Sequence, residues 1–330
     1  MRSLFAAVLA GAVILAASAQ ATEIKLSHFM SPQHPFHGMI FEWWGDKVSE
    51  ATGGEVTVRI FPAGELGQGP LEQYSRAIDG VADVAFVVQA YTPGNPFPLS
   101  LIAEQPGAIQ QPMKATEAMN RAQDLFADEY KRVKLLATWA MPPAVLFTRD
   151  NPVQSIDDVK GLKIRAGSKE AGRLIEAWGA TPIFMPVTEV YTAMQTGVVD
   201  AVLINASGAA GFKLTEVSRY MITGFDSLPA VFTLVMNRDT YRGMSDAQKS
   251  ALDSVSGEML AAQASEVGNR ITLGSIKAFL GTDGRSEIQL TAEAAAPFNE
   301  AAAVVLEEAM SKLESEGLPA RQVLAKMRGG

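Results

Sequence analysis

The sequence predicts an α/β protein of two similar lobes facing each other across a cleft. Three observations carry this expectation. The pattern Tyr, five residues, Gly, Val, any residue, Asp runs from Tyr74 through Gly80 and Val81 to Asp83, and again from Tyr191 through Gly197 and Val198 to Asp200. An apolar run follows each copy, Val84 to Val88 and Val202 to Ile204. Short apolar runs then alternate with helix-period segments along the chain, the mark of a mostly parallel sheet covered by helices. Finally, no low-complexity linker or charge block divides the halves, so several crossing strands are expected to join the lobes rather than one tether. Two α/β lobes with a cleft between them are a common way to bind a small molecule.

Each copy of the repeat reads as one helix ending at glycine, a tight turn and a buried strand. Glycine suits the left-handed position that ends a helix. Aspartate suits the turn, where its side chain can bond its own backbone. A continuous short apolar run is what a strand covered on both faces looks like.

The other elements follow in order. Ile24 and Leu26 alternate with polar neighbours, giving a strand over 23–28. Phe36 to Ala51 has helical spacing and ends at Gly53-Gly54, and Val56 to Phe61 alternates as a strand closed by Pro62. Leu71 to Ile78 is the first repeat helix. Tyr91 to Pro98 is too rich in Pro and Gly for regular structure. A helix is expected over 115–130 and a strand over 133–139, before Pro142-Pro143 breaks the chain. Strands are then expected at 145–148, 162–165, 181–185 and 200–204, with helices at 156–159, 171–178 and 190–196 between them. Val231 to Met236 reads as a strong strand, and helix dominates from Asp246. Asp239 and Thr240 precede a short helix, and Ser245 is an N-cap. A long Ala/Glu-rich helix spans 297–316, with Pro297 in its first turn and Gly317 just past its end.

The N-terminus sets the cellular context. Arg2, the apolar run Leu4 to Ala17 and the small residues of Ala19-Gln20-Ala21 form a secretory signal peptide, cut after about Ala21. The run is short for a membrane span. The mature chain is expected to be exported and soluble, and its freedom from cysteine suits a bacterial periplasm. It excludes disulfides, thiolate metal sites and a cysteine nucleophile. The formal charge of −8, one unit more negative without Arg2, argues against nucleic acid and anionic membranes as partners. A monomer is expected.

Catalytic chemistry is sparse. The three histidines (His28, His34, His37) lie within ten positions of one another and none is in the second repeat. His34 and His37 are expected to cap or line the first helix rather than hold a metal, because H-E-x-x-H is absent. There is no G-x-S-x-G. Gly64, Gly67 and Gly69 form a turn-rich loop without the Lys-Ser/Thr of a phosphate loop. No catalytic residue, cofactor or metal is expected.

Recognition chemistry remains. Arg165 ends a strand, and its guanidinium suits a carboxylate clamp with two parallel bonds; a surface or salt-bridged arginine is the alternative from spacing alone. Gln89, Tyr91 and Asn205 follow the repeat strands, at the strand ends where open parallel sheets bind ligands. Trp139 ends another strand and is either an aromatic wall or core. Of Trp43 and Trp44, one must face the core.

The run GLKIRAGSKEAGRLIEAWGATPIFMPVTEVYTAMQTGVVDAV resembles the second lobe of the extracytoplasmic solute-binding proteins of TRAP transporters. ATGGEVTVRIFPAGELGQGPLEQYSRAIDGVADVAF resembles their first lobe, and VFTLVMNRDTY their crossing strand. YTPGNPFPL and LFTRDNPVQSIDDVKGLKIR resemble one subgroup. The resemblance implies a periplasmic-binding-protein-like fold with a central ligand cleft and a single long helix bracing both lobes, in the 246–279 region. Residues 22–142 and 231–270 then form lobe I, and 143–230 and 271–330 lobe II. It implies delivery of an organic acid to an integral membrane permease driven by an ion gradient. The family's carboxylate-binding arginine falls on Arg165, and its cleft-lining positions near Phe29, Gln89, Tyr91, Trp139 and Asn205, with Phe232 added on the crossing strand.

Two departures bear on the ligand. The sialic-acid members carry a second arginine near the start of the second lobe, where Met141-Pro-Pro-Ala-Val145 is apolar. The subgroup's Pro-Trp-Glu segment is replaced by Ile204-Asn205-Ala206. These point to a monocarboxylate with an apolar or aromatic body. A second carboxylate would need another cation, and Arg149 is the only near candidate. The rival readings are an amino-acid-binding protein of an ATP-driven importer, which needs a carboxylate for the ligand ammonium and has no obvious candidate, and a binding protein that feeds a membrane sensor.

Overall fold

A computed structural model describes residues 21–330. The expected signal peptide lies, but for Ala21, outside the described residues. Along the first half run β1 (Thr22–Ser27), a π-helical turn His37–Glu42 leading into α1 (Trp43–Ala51), β2 (Val56–Phe61), α2 (Gln73–Ile78), β3 (Val84–Val88), α3 (Ala115–Ala122) and β4 (Val133–Ala140). The chain then crosses to β5 (Val145–Thr148), β6 (Lys163–Ala166), α4 (Lys169–Ala177), β7 (Thr181–Phe184), α5 (Val187–Gln195), β8 (Ala201–Ile204), α6 (Ala206–Gly211) and β9 (Tyr220–Thr223). It returns through β10 (Val231–Asn237) and ends in α7 (Arg238–Gly243), α8 (Asp246–Ser254), α9 (Gly257–Leu280), β11 (Ser286–Gln289), α10 (Ala292–Ser315) and α11 (Ala320–Arg328).

Two sheets result, ordered β2-β1-β3-β10-β4 and β11-β9-β5-β8-β6-β7. Each is parallel except for one inserted antiparallel strand. β10 runs against β3 and β4, and β5 against β8 and β9. β5 enters the second sheet from lobe I, and β10 enters the first from lobe II, so the exceptions to parallel pairing are the crossing strands. Where they pass between lobes their backbones pair, Met141 N–H to Ala230 O at 2.9 Å and Ala144 N–H to Leu228 O at 2.9 Å. Two crossing strands therefore join the lobes, rather than one tether.

The repeat has a more particular structural meaning than a turn. Gly80 and Gly197 have φ of +71° and +75°, the left-handed region glycine tolerates. The aspartates do not bond their own turns. Asp83 Oδ2 accepts the backbone N–H of Lys25 at 2.8 Å, and Asp200 Oδ2 that of Lys163 at 2.9 Å. The two lysines reach back in turn, to Val81 O and Gly197 O. In each lobe the repeat thus pins the neighbouring parallel strand in register. In lobe II that strand carries Arg165 two residues beyond the pin.

Two long helices span the lobes where one was expected. α9, about 36 Å long at 1.5 Å per residue, packs on β4 in lobe I and on α6 and β11 in lobe II. α10 buries Ala295 and Phe298 in the lobe II core and Ala309 and Met310 in the lobe I core. α11 then packs on α3, with Val323 and Met327 in the lobe I core. The C-terminal segment therefore does not stay with lobe II, as the 271–330 assignment has it.

Some elements differ from expectation. The helix over 115–130 stops at Ala122 and continues as 3-10 turns. α10 begins earlier than 297, because Thr291 Oγ1 caps it by accepting Ala294 N–H at 3.2 Å, so Pro297 sits inside the helix. α6, β9 and β11 had no counterpart in the sequence reading. Ser245 caps α8 as expected, in a capping box with Gln248. Trp44 is the core-facing member of its pair. Among the described residues no helix is long and apolar enough to cross a membrane.

Candidate ligand cavity

The C-terminal ends of β1, β3, β6 and β8 converge between the lobes on a cavity of about 110 Å³. One water needs roughly 10–15 Å³ on this scale, so the space suits a ring-sized molecule and not a peptide. Its walls divide by chemistry. Lobe I contributes most of the rings, and lobe II more of the polar groups.

Arg165 is the centre of the polar side. It is 3 % exposed, and no ion pair among the described residues includes it. It is therefore neither the surface nor the salt-bridged arginine that spacing left open. Its Nε donates to Met185 O at 3.0 Å and its Nη2 to the Tyr91 hydroxyl at 2.6 Å. Among the described residues Nη1 has no acceptor, and the outer edge of the guanidinium remains available to a carboxylate. Gly167 makes room for that edge, since a Cβ there would lie 2.8 Å from Nη1.

Tyr91 follows β3 in lobe I. Its hydroxyl accepts from Arg165 and also from the backbone N–H of Val187 at 3.2 Å, both in lobe II. The phenol is thus a latch between lobes, and its own proton is left to donate. Asn205 caps α6, its Oδ1 accepting Gly208 N–H at 2.8 Å and the Ser207 hydroxyl at 2.7 Å. With Oδ1 committed to the cap, Nδ2 is the donor left for the cavity.

Phe29 and Phe232 line the aromatic side. Phe29 stacks between Phe86 of lobe I (centroids 5.9 Å) and Phe212 of lobe II (6.4 Å). Phe232 meets Phe86 edge-to-face at 5.2 Å. Five of the seven expected residues are therefore brought together: Arg165, Tyr91, Asn205, Phe29 and Phe232.

Gln89 and Trp139 are not. Gln89 opens the 3-10 turn Gln89–Tyr91 that follows β3, and in that turn Ala90 and Tyr91 line the cavity while Gln89 is turned into lobe I. It is fully buried in a polar knot, donating to Tyr130 Oη (2.6 Å) and Thr233 Oγ1 (2.5 Å) and accepting from Ser100 Oγ (2.9 Å). Trp139 lies one layer behind, stacked on Phe86 at 5.9 Å, with its indole N–H buried and without a partner among the described residues. The core alternative applies to it.

His34 and Glu104 line the cavity without having been expected there. His34 accepts Phe36 N–H on Nδ1 at 3.2 Å and abuts Gly211 across the cleft, where a Cβ would fall 2.5 Å from Nε2. Burial pushes its pKa down to about 4. His28 and His37 face each other instead, Nε2 to Nδ1 at 2.9 Å, and burial followed by repulsion from His37 pushes His28 down to about 3. Among the described residues no cluster of three metal-ligating side chains forms. Glu104 is 2 % exposed. Its Oε1 accepts Val231 N–H at 2.6 Å, and burial pushes its pKa up to about 8. A lone acid closing the apolar run Leu101-Ile102-Ala103 was the signal for it. Arg149, the candidate second cation, pairs with Asp150 at 2.8 Å and donates to Met194 O, away from the cavity. Among the described residues Arg165 is the only Lys or Arg in the cavity wall.

Residues 26–313 match the family DctP, described as bacterial extracellular solute-binding protein, family 7. The chain belongs to this family. A relative in Comamonas testosteroni named outer membrane transporter protein TsaT is 29 % identical over 265 residues, covering 79 % of this chain and 78 % of that one. A TRAP solute-binding protein from Rhodoferax ferrireducens, solved with copurified benzoate, superposes with a TM-score of 0.87 at 26 % identity, covering 93 % of this chain and 97 % of that one. One from Bordetella bronchiseptica, solved with (R)- and (S)-mandelate, gives 0.84 at 28 %, covering 93 % and 98 %. The two-lobed fold and the resemblance to TRAP solute-binding proteins are thus borne out. A family 7 protein is a carrier of solutes and not of an enzyme class, and the cleft between its lobes is where the geometry above concentrates the recognition groups.

Proposed function

We propose that this solute-binding protein captures an aromatic monocarboxylate in the periplasm and delivers it to the membrane subunits of a TRAP-type permease. The observation that carries this reading is a buried arginine, single in the wall and unpaired among the described residues, facing a cavity lined by phenylalanines. The carboxylate accepts from the free edge of Arg165, with the Tyr91 proton and Asn205 Nδ2 as further donors. The ring packs against Phe29, Phe36 and Phe232. One cation in the wall matches one carboxylate, and the relatives solved with benzoate and mandelate carry ligands of this kind.

Closure and binding are one event on this reading. Arg165 and Val187 of lobe II meet Tyr91 of lobe I, so the clamp is complete only when the lobes are together. A buried guanidinium without its counter-ion is costly, so the closed form is scarce until the ligand supplies the charge. The permease then reads occupancy as shape.

The test is a thermal-shift screen of the mature chain against carboxylic acids, amides and amino acids, followed by calorimetry. Binding to the folded state alone raises the melting temperature. Benzoate-like acids should raise it. Arg165→Ala should weaken them at least about 100-fold, since two charge-assisted bonds at roughly 1.5–3 kcal/mol each are lost, with the circular dichroism spectrum unchanged. Near-normal affinity in that variant sinks the assignment. Glu104 favours a second reading, an amino acid whose ammonium it would face. A response to amino acids alone would put that reading first.

A further inference from the structure

Glu104 is more than a strut for the hinge. It closes a fully buried 3-10 turn, Ser100–Glu104, whose opposite end is held by Glu129 through the N–H groups of Leu99 and Ser100. One carboxyl oxygen, Oε1, is spent on Val231 N–H at the start of β10. The other has no protein partner among the described residues, and the residue lines the cavity beside Leu228, Pro229 and Ala230. This is the hinge end of the site. Ala90, Ala144 and Ala171 also line the cavity, and no lysine or arginine is among the groups that shift the Glu104 carboxyl. A buried polar atom left unmatched inside such a wall costs free energy, and a matched one rejects ligands that lack the match.

We propose that Glu104 is a specificity-determining residue that hydrogen-bonds a hydroxyl on the ring of the bound acid, so that the preferred ligands are ring-hydroxylated aromatic monocarboxylates rather than unsubstituted ones. This rests on the aromatic-acid reading of the same cavity. A hydroxyl can accept from the acid's O–H or donate to its free oxygen. The burial that raises the pKa of this carboxyl favours the first arrangement, in which Glu104 donates. The side chain nearest in charge is Glu170, an acid that raises it further. A second ligand carboxylate at this end finds no cation, whereas a phenol finds a partner.

The experiment is calorimetric titration of the mature chain with benzoate and its 2-, 3- and 4-hydroxy derivatives, repeated on Glu104→Leu, Glu104→Met and Glu104→Gln. Wild type should bind at least one hydroxy isomer tenfold or more tighter than benzoate. In the Leu and Met variants that ratio should fall below threefold. Glu104→Gln keeps an acceptor for Val231 N–H and a donor for the cavity, so it should retain the preference. A residue that merely braced the hinge would weaken benzoate and its hydroxy derivatives alike, and that result overturns the inference. So does a wild type indifferent to the hydroxyl, which decides the matter even if the apolar variants do not fold. If no aromatic acid binds wild type, the aromatic-acid reading itself fails, and this inference with it. Binding without discrimination fails the inference alone.

Discussion

A methyl group at position 167 would sit 2.8 Å from Nη1 of Arg165. That distance is too short for carbon against nitrogen, and the guanidinium rather than the strand has room to give. Gly167→Ala is therefore expected to turn the clamp off its productive edge. Carboxylate affinity should fall about tenfold, the worth of one misplaced charge-assisted bond, while the melting temperature stays within a degree or two of wild type. Calorimetry beside a thermal melt separates the two effects, and an equal loss in both would place the strain in the fold instead. The place of Arg165 at a strand end was legible in the sequence, and the family resemblance rather than its spacing singled it out for the cleft. Its glycine neighbour was not legible, because nothing in Arg165-Ala-Gly167 tells which side chain folds back over the next turn.

At the scale of elements, the repeated aspartates each hold a neighbouring strand by one backbone N–H. Asp83 also accepts the Thr240 hydroxyl at 2.9 Å, tying α7 into the same pin, whereas the bond from Asp200 is exposed. Asp83→Ala should cost about 2 kcal/mol and Asp200→Ala about 1 kcal/mol, since hydrogen bonds to charged groups are worth roughly 1.5–3 kcal/mol and lose value where water competes. Urea unfolding of the two variants gives the comparison. Asp200→Ala should additionally weaken ligand binding, because the strand it registers carries Arg165. The reverse order of stabilities would show that the pins are not the source of the difference. The repeat was visible in the sequence and so were the helix, turn and strand it encodes. That the carboxylate reaches another strand was not visible, because Lys25 and Lys163 become its neighbours only once the parallel strands pair.

For the molecule as a whole, buried ionisable groups set opposing slopes with pH. His28 and His34 have folded pKa values of about 3 and about 4 against 6.5 unfolded. The unfolded chain takes up protons that the folded one refuses, so their stabilisation is present above pH 6.5 and is lost as the pH falls. Glu104 and Glu129 go the other way, to about 8 and about 7 from 4.5, both by burial. Their contribution is full below pH 4.5 and is lost as the pH rises through the folded values. Stability should therefore drop on the acid side of neutrality through the histidines and on the alkaline side through the glutamates. The melting-temperature advantage of Glu104→Gln over wild type should widen from pH 5 to pH 8. A gap that stays constant over that range would mean Glu104 is already ionised in the folded chain.

The sequence by itself determined the two-lobed α/β organisation, the crossing strands and the family. Those features rest on local periodicity, on caps and turns, and on short motifs, all of which are written within a few residues of where they act. Tertiary structure decided the rest of the cavity. Gln89 and Trp139 stand near the right strand ends yet face or lie behind the wrong side, because the 3-10 turn after β3 gives Gln89 to Ser100, Tyr130 and Thr233 and a second layer of packing takes Trp139. His34 and Glu104 enter the wall from a loop and a 3-10 turn that no periodic pattern marks. The return of α11 to lobe I depends likewise on α10 crossing between the two cores. Each of these is a contact between segments distant in the chain, and such contacts exist only once those segments have packed together.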